Sequence, residues 1–243
     1  ADQADKTIVE GLEARLQLES DPARKREYAD LLSRVHRKPP AQWVYWGFRP
    51  APRPANTVVW EWTELIEQAL DRLLADDNHE VRFAVLKRMQ RESIPTRLVT
   101  LAAWTREETG VESLVAILDS LREHPQAATR EVLELAIADA RKPDDARLAA
   151  FRLWTAGAND SPNERLVALA KSMEDGAVLA DILRELGTRG VKSAGTPAVG
   201  ALLLAKTNSD AATVRAAAIE ALARLSIADA AEPLPKLLRD EDA

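Results

Sequence analysis

The chain has 243 residues, of which 46% are hydrophobic and 30% charged, the composition of an ordinary folded protein. Its 33 Lys and Arg against 39 Asp and Glu give a net charge of −6, which argues against nucleic acid as a partner because that affinity depends on neutralising phosphates. The absence of cysteine excludes disulfides, thiolate catalysis and Cys-type zinc sites.

Cellular location is constrained only loosely by the sequence. No apolar run approaches the roughly 18 residues of a membrane-spanning helix, so none is expected. No secretory signal is visible, and we expect a soluble protein of either the cytoplasm or the periplasm. The chain begins at Ala1, which fits a processed mature end or a fragment of a longer protein.

Two helices are predicted within an N-terminal hairpin at 1–37. The first covers 5–19, and one side of it carries Ile8, Leu12, Leu16 and Leu18. The second covers 21–35, with Asp21 as its N-cap and Pro22 in the first helical position.

The connection at 38–62 is rich in proline and tryptophan. Five of the chain's thirteen prolines lie in it, so it can be neither a helix nor a central strand. Its apolar content is too high for a disordered linker, so we predict an ordered, extended segment. In one interpretation it caps the first repeat, with Trp60 and Trp62 buried as anchors. In the other it binds a sugar or small ligand through stacking and cation–π contacts, and the candidate residues are Trp43, Tyr45, Trp46, Arg49 and Arg53.

The remainder, 63–243, alternates apolar helical patterns with Asp, Pro and Gly breaks. Gly187, Gly190 and Gly195 are expected in an inter-helix loop. The predicted helices lie near 62–75, 79–91, 95–105, 111–123, 127–139, 143–156, 162–172, 176–187, 196–206, 210–225 and 229–239.

Three of these helices share one sequence pattern. The aligned blocks are NHEVRFAVLKRM (78–89), PDDARLAAFRLW (143–154) and AATVRAAAIEAL (211–222). Their shared arginines stand 65 and 68 residues apart, or two periods of about 33, which is typical of stacked helical repeats. These arginines are Arg82, Arg147 and Arg215.

The alignment also predicts contacts and packing. Asp77 and Asp210 each precede a repeat arginine by five residues. We expect every repeat arginine to bond an Asp or a helix-end carbonyl. The residues expected in the core are Ala84, Ala149, Ala217, Leu86, Phe151 and Ile219.

The pattern D-x(4)-R with V-R-x-A-A-I-x-A-L resembles the HEAT repeat, a pair of antiparallel helices. This resemblance implies an all-α, right-handed α-solenoid of about five units plus a last helix in 63–243, with an N-terminal helical and aromatic cap. In that family the second helices line the concave face, and Asp and Arg tie neighbouring units together. A second resemblance, through KPPAQWVYWGFRPAPRPANTVVWEW and VRFAVLKRMQRESIPTRL, is to repeats in planctomycete-type multidomain bacterial proteins with dehydrogenase-like or c-type cytochrome domains.

Catalytic signals are weak by comparison. His79-Glu80 is similar to the His-Glu pairs of HEAT-type di-iron hydroxylases, but the chain has only three histidines and no second such pair. Trp104 and Trp154 invite comparison with HEAT-like alkylpurine DNA glycosylases, yet they fall on apolar helical stripes of an acidic chain. We therefore predict no catalytic residue, no metal and no cofactor.

The function favoured by the sequence is a non-catalytic scaffold or protein-interaction module within a larger protein. Its partner would be another protein or a neighbouring domain of the same polypeptide. One alternative is a carbohydrate or small-ligand binding module that uses 43–62. Another is an accessory domain of an enzyme whose active site lies elsewhere.

Overall fold

The computed structural model describes residues 5–40, 55–156, 163–190 and 197–225. Within these ranges the chain is all-helical, which confirms the predicted all-α class, and the only β pairing is an isolated antiparallel bridge between Lys38 and Val58. None of the helices in these ranges is both long enough and apolar enough to cross a membrane.

The helices lie close to their predicted positions, each end falling within three residues of the expected one. The predicted helix at 229–239 lies outside the described residues. The described helices are α1 (Lys6–Leu18), α2 (Pro22–Arg34), α3 (Thr63–Leu74), α4 (His79–Glu92), α5 (Leu98–Glu107), α6 (Val111–Leu121), α7 (Gln126–Ala138), α8 (Asp144–Ala156), α9 (Asn163–Ser172), α10 (Ala177–Gly190), α11 (Pro197–Lys206) and α12 (Ala212–Leu225).

Side-chain caps explain where helices α2 and α4 begin. Asp21 accepts a hydrogen bond from the main-chain N–H of Ala23 at 3.0 Å, and Pro22 occupies the first helical position, as predicted. Asn78 caps α4 in the same way by accepting from the N–H of Val81 at 3.1 Å. These contacts satisfy main-chain donors that a helix start otherwise leaves unpaired.

The chain divides into two compact units. The first contains residues up to Glu107 together with Asp119–Leu121, and the second contains Glu108–Leu118 and the chain from Arg122 onward. The division at 37 and 62 expected from the sequence stays a prediction.

Helix pairs lie side by side in the first unit. Helix α1 packs on α2 and α3 packs on α4, while α1 also contacts α3 and α2 contacts α4. Fully buried aliphatic side chains fill the space between them, which is the main stabilising contribution of such a core. They include Leu32, Ile66, Leu70, Leu74 and Leu86.

The second unit repeats this arrangement. The pairs are α7 with α8, α9 with α10, and α11 with α12. First helices contact first helices, α7 with α9 and α9 with α11, and second helices contact second helices, α8 with α10 and α10 with α12. The predicted core residues Phe151 and Ala217 are buried here, and Leu86 is buried in the first unit.

Part of the predicted core was wrong by one helical position. Ala84, Ala149 and Ile219 are only half-buried. The position after the first two is the buried one, where Val85 and Ala150 are 1% and 0% exposed. The buried stripe therefore includes the residue three after each repeat arginine. The residue two after the arginine is half-buried in α4 and α8 but fully buried in α12, where it is Ala217.

Helix α1 shows a similar shift. Ile8 and Leu18, predicted to be apolar contacts, are exposed, while Val9 is fully buried together with Leu16. Val9, Leu12 and Leu16 follow the i, i+3, i+7 spacing, so the packing face runs through Val9 rather than Ile8.

Candidate functional site

The predicted ligand-binding residues of the aromatic segment, Trp43, Tyr45, Trp46, Arg49 and Arg53, lie outside the described residues. What the structure describes is the base of that segment. Lys38 and Val58 exchange two main-chain hydrogen bonds of 2.9 Å each. The chain that leaves at Lys38 therefore returns beside it at Val58.

Trp60 anchors the returning chain, as predicted. Its side chain is 9% exposed, and its indole Nε1–H donates to the carbonyl of Val35 at 3.0 Å. Its main-chain N–H donates to Thr63 Oγ1 at 3.1 Å. Trp62, also predicted to be mostly buried, is half-buried, with the Lys6 ammonium 5.5 Å from its ring centroid.

Two repeat arginines make the same main-chain contacts. Arg82 Nη1 donates to the carbonyls of Asp76 and Asp77 at 2.7 and 3.3 Å. Arg215 Nη1 donates to the carbonyls six and five residues before it, both at 3.0 Å. Asp77 and Asp210 thus meet the arginines through their main-chain carbonyls. Each arginine ties the preceding inter-helix turn to its own helix.

Arg147 is more deeply buried than the other two, at 3% exposure. Its Nε–H donates to the carbonyl of Ile137 at the end of α7, at 2.8 Å. Its Nη1 bonds Asp144 Oδ1 at 3.2 Å and also bonds Glu174 Oε1. The hydrogen bond from Arg147 lowers the pKa of Glu174. Arg147 therefore joins α7, α8 and the turn before α10.

An open groove lies between α2 and α4 in the first unit, with a volume of about 300 Å³. Small side chains form its floor and long cationic side chains form its walls. The floor consists of Ala29, Ala84 and Val85, and the walls include Arg26, Lys87 and Arg91. We call this the α2–α4 groove.

The walls of the α2–α4 groove carry more positive than negative charge. Four of its lining residues are cationic, and Asp30 is the one acid among them. Arg88 bonds Asp30 at 2.8 Å and Glu92 at 3.1 Å. Lys87 and Arg91 are exposed and one helical turn apart, and neither forms an ion pair or hydrogen bond with the described residues. The local charge is thus opposite in sign to that of the whole chain.

A second cavity in the first unit, of about 440 Å³, lies beside Arg82 and Trp104. The Arg82 guanidinium sits 5.4 Å from the centre of the Trp104 ring. Asp76, another lining residue, pairs with Lys25 at 2.5 Å. Arg82 and Asp76 are therefore already engaged with other groups of the protein.

The His79-Glu80 pair is not arranged like a metal site. His79 is exposed at the start of α4, and its ring stacks on Phe83 with 6.3 Å between centroids. Among the residues that the structure describes, no group of three or more His, Asp or Glu side chains is placed to hold a metal ion.

The α2–α4 groove was missed from the sequence, although a partial signal exists. Residues 84, 87, 88 and 91 share one face of a helix at i, i+3, i+4 and i+7, and three of them are cationic. Finding the groove also required knowing that α2 packs against α4, bringing Arg26 to the opposite wall.

No protein-family model matches the chain. No solved structure matches it. A 99-residue segment is 34% identical to the Golgi-specific brefeldin A-resistance guanine nucleotide exchange factor 1 homolog of Caenorhabditis elegans. That segment covers 39% of this chain and 5% of the relative, so the similarity concerns a small part of a much longer protein.

Proposed function

We propose that this chain is a non-catalytic helical-repeat module that binds a partner protein or a neighbouring domain of the same polypeptide. Its helix pairs would form a right-handed HEAT-type solenoid, capped at the N-terminus by 1–37 and 38–62. The observation that carries the proposal is the α2–α4 groove, an open surface between two second helices with cations that have no partner among the described residues. Protein-binding solenoids use surfaces of this kind.

The repeated arginine contacts support the solenoid. Arg82 and Arg215 bond the carbonyls at the same two relative positions, although 133 residues, or four periods of about 33, separate them. The matched segment covers only 5% of the relative, and such a short match is also expected if the segment belongs to a module within a larger polypeptide.

The described carboxylates whose pKa values are clearly shifted all have lowered pKa values, which is in keeping with the proposed non-catalytic role. A hydrogen bond from Arg141 lowers the pKa of Asp139, and hydrogen bonds from Lys206 and Ser209 lower that of Asp175. A general acid or base working near neutral pH needs the opposite shift. These carboxylates act as ion-pair partners instead.

Direct binding of purified proteins tests the proposal. Proteins captured from the source organism by the immobilised chain would be purified and titrated against it by calorimetry. At least one should bind directly with a micromolar or tighter Kd. If none does, while the flanking domains of the native polypeptide also fail to bind, the protein-interaction function is wrong.

The carbohydrate alternative has its own support in the fixed base of the aromatic segment at Lys38 and Val58. A glycan array and ligand-dependent melting would test it. Binding that is lost in Trp46→Ala, with the melting temperature unchanged, would favour this alternative over protein binding. A variant that only melts earlier would indicate a cap.

A further inference from the structure

The α2–α4 groove has the features of a peptide-binding surface. Ala29 and Val85 are 2% and 1% exposed, and half-buried Ala84 completes the floor. Ala217, at the equivalent position of α12, is fully buried by packing within its own unit. Ala84, like the equivalent Ala149 of α8, therefore keeps accessible surface that α12 lacks at this position.

The cations of the groove fall into two groups. Arg88 is held by Asp30 and Glu92, and Arg26 pairs with Glu80 at 3.5 Å. Lys87 and Arg91 form no such pair with the described residues, although the chain contains 39 acids and 33 bases. Two exposed cations one turn apart repel each other until an anion binds between or beside them.

We propose that the α2–α4 groove binds an acidic segment of a partner protein. Carboxylates spaced one helical turn apart would pair with Lys87 and Arg91, and a small apolar side chain one further turn along the partner would rest on Ala84, which precedes Lys87 by one turn. This inference rests on the proposed protein-binding function and names the chemistry of the partner. A groove that receives one helix or peptide in this way is a recurring mode of recognition.

The surroundings of the groove favour a short acidic peptide over nucleic acid or an anionic membrane. Glu80 and Glu92 lie near the two ends of the cationic stretch of α4 and limit its length. The chain as a whole carries −6, which repels an extended polyanion. A local patch of two cations without a partner in the described part of the chain matches a short acidic segment, whereas phosphate backbones and membranes need a longer basic surface.

Fluorescence anisotropy with a defined probe tests the inference. The probe is a labelled, alanine-rich helical peptide with glutamates one turn apart, and its control has glutamine in their place. The full chain should bind the glutamate peptide in 50 mM NaCl and the glutamine peptide at least fivefold more weakly. The difference should shrink at 500 mM NaCl, because salt screens exposed charges.

Variants locate the binding. Lys87→Gln/Arg91→Gln should raise the Kd of the glutamate peptide at least fivefold. Arg15→Gln/Arg152→Gln removes the same charge from exposed positions on α1 and α8 and should leave it unchanged. Ala84→Phe, which fills the groove, should also weaken binding. Circular dichroism melts establish that each variant is folded.

Several outcomes would overturn the inference. These are no binding of the glutamate peptide, equal binding by the groove double variant, or groove-dependent binding of a DNA duplex or phosphatidylserine vesicles without peptide binding. If a captured partner protein binds Lys87→Gln/Arg91→Gln as tightly as wild type, the assignment of binding to the α2–α4 groove is wrong, while the protein-binding function stands. If the peptide binds as expected but no partner protein does, the proposed function fails independently.

Discussion

Gly187 of α10 lies directly against Ala221 of α12. A Cβ placed on Gly187 would lie 2.6 Å from the Cα of Ala221 and 2.8 Å from its Cβ, closer than any real contact. The sequence predicts Gly187, Gly190 and Gly195 in an inter-helix loop, but Gly187 and Gly190 belong to helix α10, and Gly195 lies outside the described residues. The helix accepts a glycine, which is a poor helix former, because two backbones meet there.

We predict that Gly187→Ala destabilises the protein by about 1–3 kcal/mol, because the added methyl group must displace a neighbouring main chain. Urea denaturation followed by circular dichroism measures the free energy of unfolding. The matched control is Gly11→Ala in α1, where nothing lies within 4 Å of the added Cβ. That variant should be stabilised by about 0.5–1 kcal/mol. Destabilisation by both variants alike would contradict the close contact.

Ala217→Leu should cost about 1–3 kcal/mol, because Ala217 is fully buried on α12 and has no room for three more carbons. Ala216→Leu changes the neighbouring, exposed residue in the same way and should change stability by less than about 0.5 kcal/mol. Thermal melting of the two variants separates these cases. Equal melting temperatures would mean that the packing face of α12 is assigned wrongly.

Arg147→Ala should lower the free energy of unfolding by about 2 kcal/mol or more, because it leaves a buried carbonyl at Ile137 without its donor. Arg184 also bridges two acids, Asp181 and Glu220, but its side chain is 40% exposed. Arg184→Ala should therefore cost less than about 1 kcal/mol. Urea titrations at neutral pH measure both, and a larger loss for Arg184→Ala would show that burial is not the deciding factor.

The contribution of Asp139 to the free energy of unfolding should depend on pH in the acid range. The hydrogen bond from Arg141 lowers its pKa below the ordinary 3.8, so its ion pairs stabilise the fold above that pH and the contribution is lost as the pH falls further. Asp139→Asn should be less stable than wild type at pH 7, since buried Lys142 also loses an anion at 3.3 Å.

The measurement is the free energy of unfolding from pH 6 downward. The gap between wild type and Asp139→Asn should be constant near pH 6 and narrow below about 3.8. When the same comparison is made in an Arg141→Gln background, Asp139→Asn should change the free energy of unfolding by a smaller amount. The reason is that the hydrogen bond from Arg141, the main cause of the lowered Asp139 pKa, is absent there. A gap that widens toward acid pH would contradict the sign of the shift.

Local signals explain why the helices were predictable. Asp21 and Pro22 specify the start of α2 through contacts within a few residues, and the sequence displays them directly. Which residues of a helix face the core depends instead on helices that are distant in the sequence. Whether Ile8 or Val9 faces inward depends on where α2 and α3 lie, and α1 carries apolar residues at both positions.

The two candidate sites differ in the same way in how far the sequence predicts them. The aromatic segment was conspicuous because its unusual residues are adjacent in sequence. The α2–α4 groove was not, because Arg26 and Arg91 meet only when helices separated by the whole of 38–62 pack together. The ion pairs were hidden in the same way, because nothing in the order of residues indicates that Asp30 pairs with Arg88 rather than with Lys87.

The bridge between Lys38 and Val58 has a consequence for how this protein can change. Because the two strands of chain are joined there by paired hydrogen bonds, α2 and α3 are connected through that short link whatever lies between. The two hydrogen bonds use main-chain atoms only and are therefore independent of the side chains at these positions. Substitutions at 38 and 58 that keep the main-chain N–H should leave this link between α2 and α3 intact.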